Sequence, residues 1–281
     1  MTSSIELRHV TKEFVVRPTK EQPRASVLRA LDDISLTVPA GEFLTLVGPS
    51  GSGKTTLLDL LGGLSTPTSG SVLVDGEEVT GPGLDRGIVF QQYALFPWRT
   101  ALSNVTFGLE QLPISRAERT ERARHHLDLV GLSGFEDRLP HELSGGMKQR
   151  VAIARSLAYE PGILLMDEPF AALDAQTREQ LQDELLRIWR TTGTTAVFIT
   201  HGIEEAVYLG QRVAVLSSRP GRLTEVVDVD LGDRAGAVDL RSDPAFVAYR
   251  HEIWGLLHDE VERAQRAGHR KIQPDGTERA A

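Results

Sequence analysis

The chain has 281 residues, of which 40% are hydrophobic and 25% charged, the composition of a globular protein that can bury a sizeable core. Its formal net charge is −8 and it contains no dense block of Lys and Arg, which argues against nucleic acid as its main partner. Cysteine is absent, so disulfides and thiolate metal sites are excluded, and the composition fits a cytoplasmic protein.

Apolar, β-branched segments alternate with helical patterns along the chain. Residues 17–26 are polar and contain two prolines, so we expect an exposed excursion between two early strands. A buried strand is predicted at Phe43–Val47, and a helix at 55–61 follows it. Further strands are predicted at 71–74, 87–90, 163–166, 196–199 and 213–216. This alternation predicts an α/β fold with a largely parallel sheet.

The segment between about Trp98 and Tyr159 has a different pattern, because helices are predicted there without an intervening strand. They span residues 101–110, 116–130 and 144–158. We therefore expect a helical subdomain, at about residues 98–159, inserted into the α/β core.

The C-terminal part predicts one more helix, which Asp243 caps and Pro244 begins. Its apolar residues recur at helical spacing and predict a face that packs on the core: Phe246, Tyr249, Ile253, Leu256 and Leu257. We expect a main domain at residues 5–240, a helical extension at 241–266 and a flexible tail at 267–281.

The sequence Gly48-x-x-x-x-Gly53-Lys54-Thr55 matches the loop that binds the phosphates of ATP. Its glycines let consecutive backbone N–H groups converge on a phosphate, and the helix that follows adds the positive end of its dipole. Lys54 can reach the β- and γ-phosphates, and the Thr55 hydroxyl can bind Mg²⁺. The predicted ATP-binding residues here are Gly48, Pro49, Ser50, Gly51, Ser52, Gly53, Lys54, Thr55 and Thr56.

An acidic pair, Asp167 and Glu168, ends the apolar strand predicted at 163–166. Asp167 can hold Mg²⁺ beside the phosphate-binding loop, directly or through water, and Glu168 can polarise the attacking water. Acidic pairs are also common at solvent-exposed strand ends, so this interpretation depends on the phosphate-binding loop.

A second candidate anion site is the run Ser144-Gly145-Gly146, which opens a predicted helix. One chain with one nucleotide does not need two such sites, whereas two chains that sandwich ATP do. The alternative is a helix cap without a ligand.

These motifs together resemble the nucleotide-binding subunit of an ATP-binding cassette (ABC) transporter over at least residues 5–223. The resemblance implies a P-loop NTPase core with an antiparallel β subdomain, and it implies ATP and Mg²⁺. Residues 143–147 match the family signature, and Asp174 ends a segment that matches the family's D-loop. Gln91 falls at the Q-loop glutamine, which also contacts the metal, and His201 at the switch histidine. Phe14 falls at the aromatic residue that stacks on adenine; alone, each of these three has an ordinary structural explanation.

Finer motifs resemble the nitrate, sulfonate and taurine importer branch of the family. They include Phe96-Pro97-Trp98 and the run 216–222, Leu-Ser-Ser-Arg-Pro-Gly-Arg. Two positions depart from the family pattern: Gly202 stands where Asp is usual, and Gln211 stands where Asp is common. The first departure puts the support of His201 in doubt.

The resemblance implies an importer ATPase that works as a head-to-tail dimer with a second copy of the subunit. It also implies transmembrane permease subunits that bind near residues 91–98, and indirectly an extracytoplasmic solute-binding protein. The chain has no apolar run long enough to span a bilayer, so we expect it on the cytoplasmic face of the membrane, attached through the permease.

Three other classes of protein share part of this pattern. A cassette ATPase of DNA repair or translation would need coiled-coil insertions or paired cassettes and a basic surface. A P-loop kinase would leave residues 143–147 and His201 without a purpose. An exporter ATPase is a closer alternative, disfavoured because exporters often fuse the permease to the ATPase.

Overall fold

The computed structural model describes residues 2–18, 25–232, 234 and 240–270. The strands of this part are β1 Ile5–Val16, β2 Ser26–Val38, β3 Phe43–Val47, β4 Ser69–Val74, β5 Glu77–Glu78, β6 Arg86–Val89, β7 Ile163–Asp167, β8 Thr195–Ile199, β9 Arg212–Leu216 and β10 Leu223–Asp228. The helices are α1 Lys54–Leu61, α2 Ala101–Leu109, α3 Arg116–Leu129, α4 Gly145–Leu157, α5 Ala175–Thr192, α6 Ile203–Leu209 and α7 Pro244–Arg270. Short 3₁₀ helices lie at Pro140–Glu142 and Leu240–Ser242.

The larger sheet has the strand order β10-β9-β3-β8-β7-β6, and all its pairs are parallel except β10 with β9. Every residue of β3, β7 and β8 is buried, which explains their continuous apolar runs, since strands covered on both faces do not alternate. The predicted α/β fold with a largely parallel sheet is therefore confirmed.

The smaller sheet is antiparallel, with the order β2-β1-β4-β5. Its inner face shares one apolar core with α1 and the parallel sheet, in which Val10, Ile34 and Leu58 are buried. The antiparallel β part implied by the family resemblance is thus present. Residues 19–24 of the excursion predicted at 17–26 lie outside the described residues.

Three helices, α2, α3 and α4, pack on one another between β6 and β7, as the sequence pattern predicted. Side chains cap all three, because Thr100, Ser115 and Ser144 each accept a hydrogen bond from the backbone N–H three residues on. These caps explain why the predicted starts lie within one residue of the observed ones. Their contact faces are apolar and buried, with Val105 and Leu127 at the centre.

The last helix begins at Pro244, where Asp243 accepts a hydrogen bond from the backbone N–H of Ala245 at 2.7 Å. Phe246 and Ile253 are fully buried, so the predicted apolar face does pack on the core. The division into 5–240, 241–266 and 267–281 stays a prediction, and residues 271–281 of the expected tail lie outside the described residues. In the described part of the chain, no helix is both long and apolar enough to cross a membrane.

Candidate functional site

The phosphate-binding loop connects β3 to α1, and two of its glycines have backbone conformations that other residues rarely adopt. Gly51 has φ 77° and Gly53 has φ 90°, in the left-handed region that glycine adopts without strain. Lys54 turns back across the loop, where its Nζ donates to the carbonyl oxygens of Gly48 at 2.8 Å and Pro49 at 3.0 Å. The loop therefore holds its lysine in place with its own backbone.

Lys54 is almost fully buried, and this burial lowers the pKa of its ammonium group. The negative charges of Glu168 and Asp167 oppose that shift, because they favour the charged lysine. A cation held between backbone carbonyls and carboxylates is placed to bind phosphate oxygens.

A cavity of about 290 Å³ opens above this loop. It brings the predicted adenine contact Phe14 together with the loop, Glu168 and His201, although these residues are far apart in sequence. The lining residues are Phe14, Leu28, Ala30, Ser50, Gly51, Ser52, Gly53, Lys54, Thr55, Thr56, Glu168, His201 and Arg219. The cavity thus joins an aromatic face to a phosphate-binding loop, which is the combination that a nucleotide requires.

Asp167 ends β7 beside the loop and is buried, which raises the pKa of its carboxyl group. The Thr55 hydroxyl, Lys54 and His201 act in the opposite direction and favour the carboxylate. Its Oδ1 is buried and has no hydrogen-bond partner within the described part of the chain. A carboxylate with one unpaired oxygen next to a threonine hydroxyl fits Mg²⁺, which prefers hard oxygen ligands.

Glu168 is the point at which the predicted catalytic residues meet. Its Oε1 lies 2.6 Å from Nε2 of His201, and its Oε2 accepts a hydrogen bond from Nε2 of Gln91 at 3.3 Å. The backbone of Glu168 has φ 45°, a conformation that residues other than glycine rarely adopt. Its N–H donates to the carbonyl of Ile199 at 3.0 Å. Because such strain persists only where the surroundings enforce it, this carboxylate is held in a fixed place.

The turn that carries His201 is supported despite the glycine that follows it. The Gly202 N–H donates to the Thr200 hydroxyl at 2.9 Å, and that hydroxyl bonds to the carboxyl group of Glu205. Gln182 of α5 donates to the other oxygen of Glu205 at 2.9 Å. Thr200 and Glu205 therefore supply the support for the turn that an aspartate at position 202 would otherwise be expected to give.

The signature residues lie away from the nucleotide cavity of their own chain. Ser144 caps α4 by accepting a hydrogen bond from the Met147 N–H at 3.3 Å, and Gly145 and Gly146 form the first turn. Asp174 caps α5 through the Thr177 N–H at 3.0 Å, and this bond lowers the pKa of Asp174. Neither group lines the cavity that contains Lys54.

Three residues that line the cavity were not predicted as site residues from the sequence: Leu28, Ala30 and the charged Arg219. Arg219 lies in the run 216–222, which was used only as a sign of the importer branch. A signal was available, because β9 is the neighbour of β3 and the carboxyl ends of parallel strands meet at one edge of the sheet. The sequence alone does not show that β9 lies beside β3, so the position of Arg219 at the nucleotide cavity could not be predicted without the strand order.

Comparison with known proteins gives the family. The ABC transporter family model matches residues 31–171. An uncharacterized ABC transporter ATP-binding protein of Methanocaldococcus jannaschii is 58% identical over 261 residues, 93% of this chain and 94% of the relative. The nitrate import ATP-binding protein NrtD of Synechocystis is 52% identical, over 90% of this chain and 94% of the relative. The taurine import ATP-binding protein TauB of Pseudomonas putida is 46% identical, over 93% and 98%.

Among solved structures, the dimeric ATP-binding cassette MJ0796 in a post-hydrolysis state with ADP and Pi is similar. Its TM-score is 0.69 at 34% identity, and the match covers 80% of this chain and 99% of that one. The parallel and antiparallel sheets of this chain agree with that likeness. The chain therefore belongs to the ABC transporter family, as an ATP-binding subunit that hydrolyses ATP.

Proposed function

We propose that this subunit energises the import of a small solute, a sulfonate, taurine or a nitrate-like anion, through a membrane ABC permease. The observation that carries the ATP-hydrolysis part of the proposal is the contact of Glu168 with both His201 and Gln91 at the cavity that contains Lys54. The relatives named for nitrate and taurine import support the importer branch. They differ in solute at similar identity to this chain, so the solute is chosen by the permease and by a solute-binding protein.

In the proposed mechanism the phosphate-binding loop binds the triphosphate and Glu168 acts as general base. Lys54 and the loop N–H groups neutralise phosphate charge, while Phe14 packs against the adenine ring of ATP. Glu168 takes a proton from the attacking water, and His201 and Gln91 hold that carboxylate and sense the γ-phosphate. Phosphoryl transfer needs an oriented nucleophile and neutralised charge, and these residues supply both.

Mg²⁺ is the cofactor that the donor set at Thr55, Gln91 and Asp167 fits. When bound, it would neutralise charge on the β- and γ-phosphates. We expect chelation with EDTA to abolish ATP hydrolysis and readdition of Mg²⁺ to restore it.

We also expect Asp167→Asn to require a higher Mg²⁺ concentration for half-maximal rate of ATP hydrolysis, because the negative charge of the carboxylate is lost. Unchanged Mg²⁺ dependence in this variant would contradict the assignment of Asp167; Asp183→Asn, on α5, is the control.

The second half of each ATP site is proposed to come from a second copy of the subunit. Ser144, Gly145 and Gly146 lie at the N-terminus of α4, where N–H groups and the helix dipole favour an anion. They do not line the cavity of their own chain, so we propose that this helix N-terminus contacts the γ-phosphate held by the partner. Asp174 is proposed to communicate between the two sites.

The permease is proposed to bind at an aromatic docking surface formed by Tyr93, Phe96 and Trp98. Trp98 is 73% exposed, and its ring lies 5.7 Å from that of Phe96. The fully buried Asn104 fixes the loop beneath, since its Oδ1 accepts from the Phe96 N–H at 2.8 Å and its Nδ2 donates to the Arg99 carbonyl at 2.9 Å. A fixed, exposed indole is the type of residue that dominates interface energies. The subunit would then lie on the cytoplasmic face of the membrane through this contact.

The Trp98→Ala variant should bind the permease at least about tenfold more weakly, because truncation of a central tryptophan removes a large contact area. Its ATPase activity as an isolated subunit should not change, since Trp98 is not part of the nucleotide cavity. Association is measured by co-purification with detergent-solubilised permease. Trp254→Ala is the matched control, because Trp254 is also an exposed tryptophan, at 50%, but lies on α7. Equal loss in both variants would place the docking surface elsewhere.

Direction and solute are tested by reconstitution of the subunit with its permease and solute-binding protein in proteoliposomes. With ATP on the side of the ATPase subunit, uptake of labelled nitrate or taurine from the side of the binding protein is the expected result. Transport in the opposite direction would support an exporter and overturn the proposal. ATP hydrolysis without any response to the permease would favour a cassette ATPase that is not tied to transport.

A further inference from the structure

The segment 217–222 forms a closed loop between β9 and β10. The Ser217 N–H donates to the carbonyl of Arg222 at 2.9 Å, and the Arg222 N–H donates to the Ser217 hydroxyl at 2.9 Å. The Ser217 hydroxyl in turn bonds to the Pro220 carbonyl at 3.1 Å. These bonds fix both ends of the loop and leave Arg219 near its tip.

This loop is attached to β2 on one side. The Gly221 N–H donates to the Ala30 carbonyl at 2.8 Å, and the Gly221 carbonyl accepts from the Asp32 N–H at 2.9 Å. The guanidinium of Arg222 also pairs with the buried carboxylate of Asp32, with Nε 2.8 Å from Oδ2, and this bond lowers the pKa of Asp32. Backbone hydrogen bonds and an ion pair thus both attach the loop to β2.

On its other side, the loop is packed against the phosphate-binding loop. A Cβ at Gly221 would lie 1.9 Å from the carbonyl oxygen of Ser52, so only glycine fits there. Gly48, at the start of the phosphate-binding loop, also lies close to β9, since a Cβ there would lie 3.0 Å from the Leu216 carbonyl oxygen. The two loops therefore keep a fixed position relative to each other.

Arg219 lies over the phosphate-binding loop as a result. Its side chain lines the nucleotide cavity, and a Cβ at Gly51 would lie 3.2 Å from its Nη2. Arg219 is exposed, and among the described residues its guanidinium has neither a hydrogen-bond partner nor an ion-pair partner. Two other arginines, by contrast, are paired: Arg29 with Glu13 and Asp32, and Arg222 with Asp32.

We infer that Arg219 is a further nucleotide-binding residue, whose guanidinium contacts the phosphate chain of ATP from outside the phosphate-binding loop. The guanidinium lies next to Gly51, a residue of the loop that binds phosphates, and an unpaired arginine is the side chain best suited to bind phosphate oxygens. The inference concerns ATP binding alone and does not depend on the transported solute.

The test compares Arg219→Gln and Arg219→Lys with the native subunit, using displacement of a fluorescent ATP analogue by ATP, ADP and AMP in the presence of Mg²⁺. For Arg219→Gln we expect about tenfold weaker binding of ATP and a clearly smaller loss for AMP, because AMP lacks two of the phosphates. Arg219→Lys should keep part of the ATP affinity, since the charge remains. The affinity for ATP should also depend less on salt concentration in Arg219→Gln.

Arg124→Gln is the matched control, because Arg124 is an exposed arginine on α3 that does not line the nucleotide cavity. It changes the net charge equally and should bind all three nucleotides as the native subunit does. Native ATP affinity in Arg219→Gln would overturn the inference. Equal losses for ATP and AMP, with no recovery in Arg219→Lys, would also overturn it, since such losses would assign Arg219 to the adenosine or to loop structure. The melting temperature without nucleotide should be unchanged, and a lowered value would point to the same structural role.

Discussion

Replacement of Glu168 by glutamine is expected to lower ATP turnover by at least about a hundredfold while ATP binding persists, since loss of a general base has this size of effect. Glutamine has the same shape, and its carbonyl oxygen can still accept a hydrogen bond from His201, whose Nε2 lies 2.6 Å from Oε1 of Glu168. It cannot take up a proton from water. Lys54, proposed to bind phosphate, and Thr55, proposed to bind Mg²⁺, are untouched, so ATP affinity should be retained.

The measurement for this variant is the steady-state release of phosphate by the reconstituted complex, beside the binding of a fluorescent ATP analogue to the isolated subunit. Glu225→Gln is the control, because Glu225 is an exposed glutamate on β10 that does not line the nucleotide cavity. It should hydrolyse ATP at the native rate. Native turnover in Glu168→Gln would show that another group activates the water, and loss of binding would show that Glu168 supports the loop instead.

Most strands and helices could be predicted from the sequence because local features specify them. Phe43–Val47 is an apolar run buried on both faces, and the helices of the inserted region begin at Ser or Thr residues that cap them. The antiparallel sheet was implied by the family resemblance and not by an alternation of apolar and polar residues along its strands. β1 contains register shifts near His9, which has φ 50°, and such irregularities obscure the period of two that identifies a half-buried strand.

The meeting of Gln91, Glu168 and His201 could not be derived from local pattern. They follow β6, β7 and β8, which are neighbours in the sheet, so their side chains converge at one edge. The phosphate-binding loop joins them because β3 lies beside β8, although more than a hundred residues separate the two strands. Contacts between distant segments set that strand order. Arg219 could not be assigned to the site for the same reason, because it follows β9, which lies on the other side of β3.

The substitution Ser144→Arg is expected to abolish ATP hydrolysis by the complex and to leave ATP affinity of the isolated subunit nearly unchanged. Ser144 does not line the cavity of its own chain, so the change cannot touch the ATP bound there. In the proposed dimer, an arginine would fill the space at the α4 N-terminus that the partner's γ-phosphate needs. Hydrolysis is measured with the reconstituted complex, and affinity with the isolated subunit. With ATP bound, Glu168→Gln should form a dimer that size-exclusion chromatography can detect, and adding Ser144→Arg should remove that dimer.

Loss of the helix cap must be separated from loss of the shared site in this experiment. Ser115→Arg is the matched control, because Ser115 caps α3 in the same way, accepting a hydrogen bond from the Glu118 N–H at 3.2 Å, compared with 3.3 Å from the Met147 N–H to Ser144. Each replacement should cost about 1 kcal/mol of unfolding free energy as a cap, and only Ser144→Arg should stop hydrolysis. Weaker ATP binding by the isolated Ser144→Arg subunit would mean that the site is complete within one chain. Hydrolysis at the native rate would mean that α4 does not reach the nucleotide of its partner.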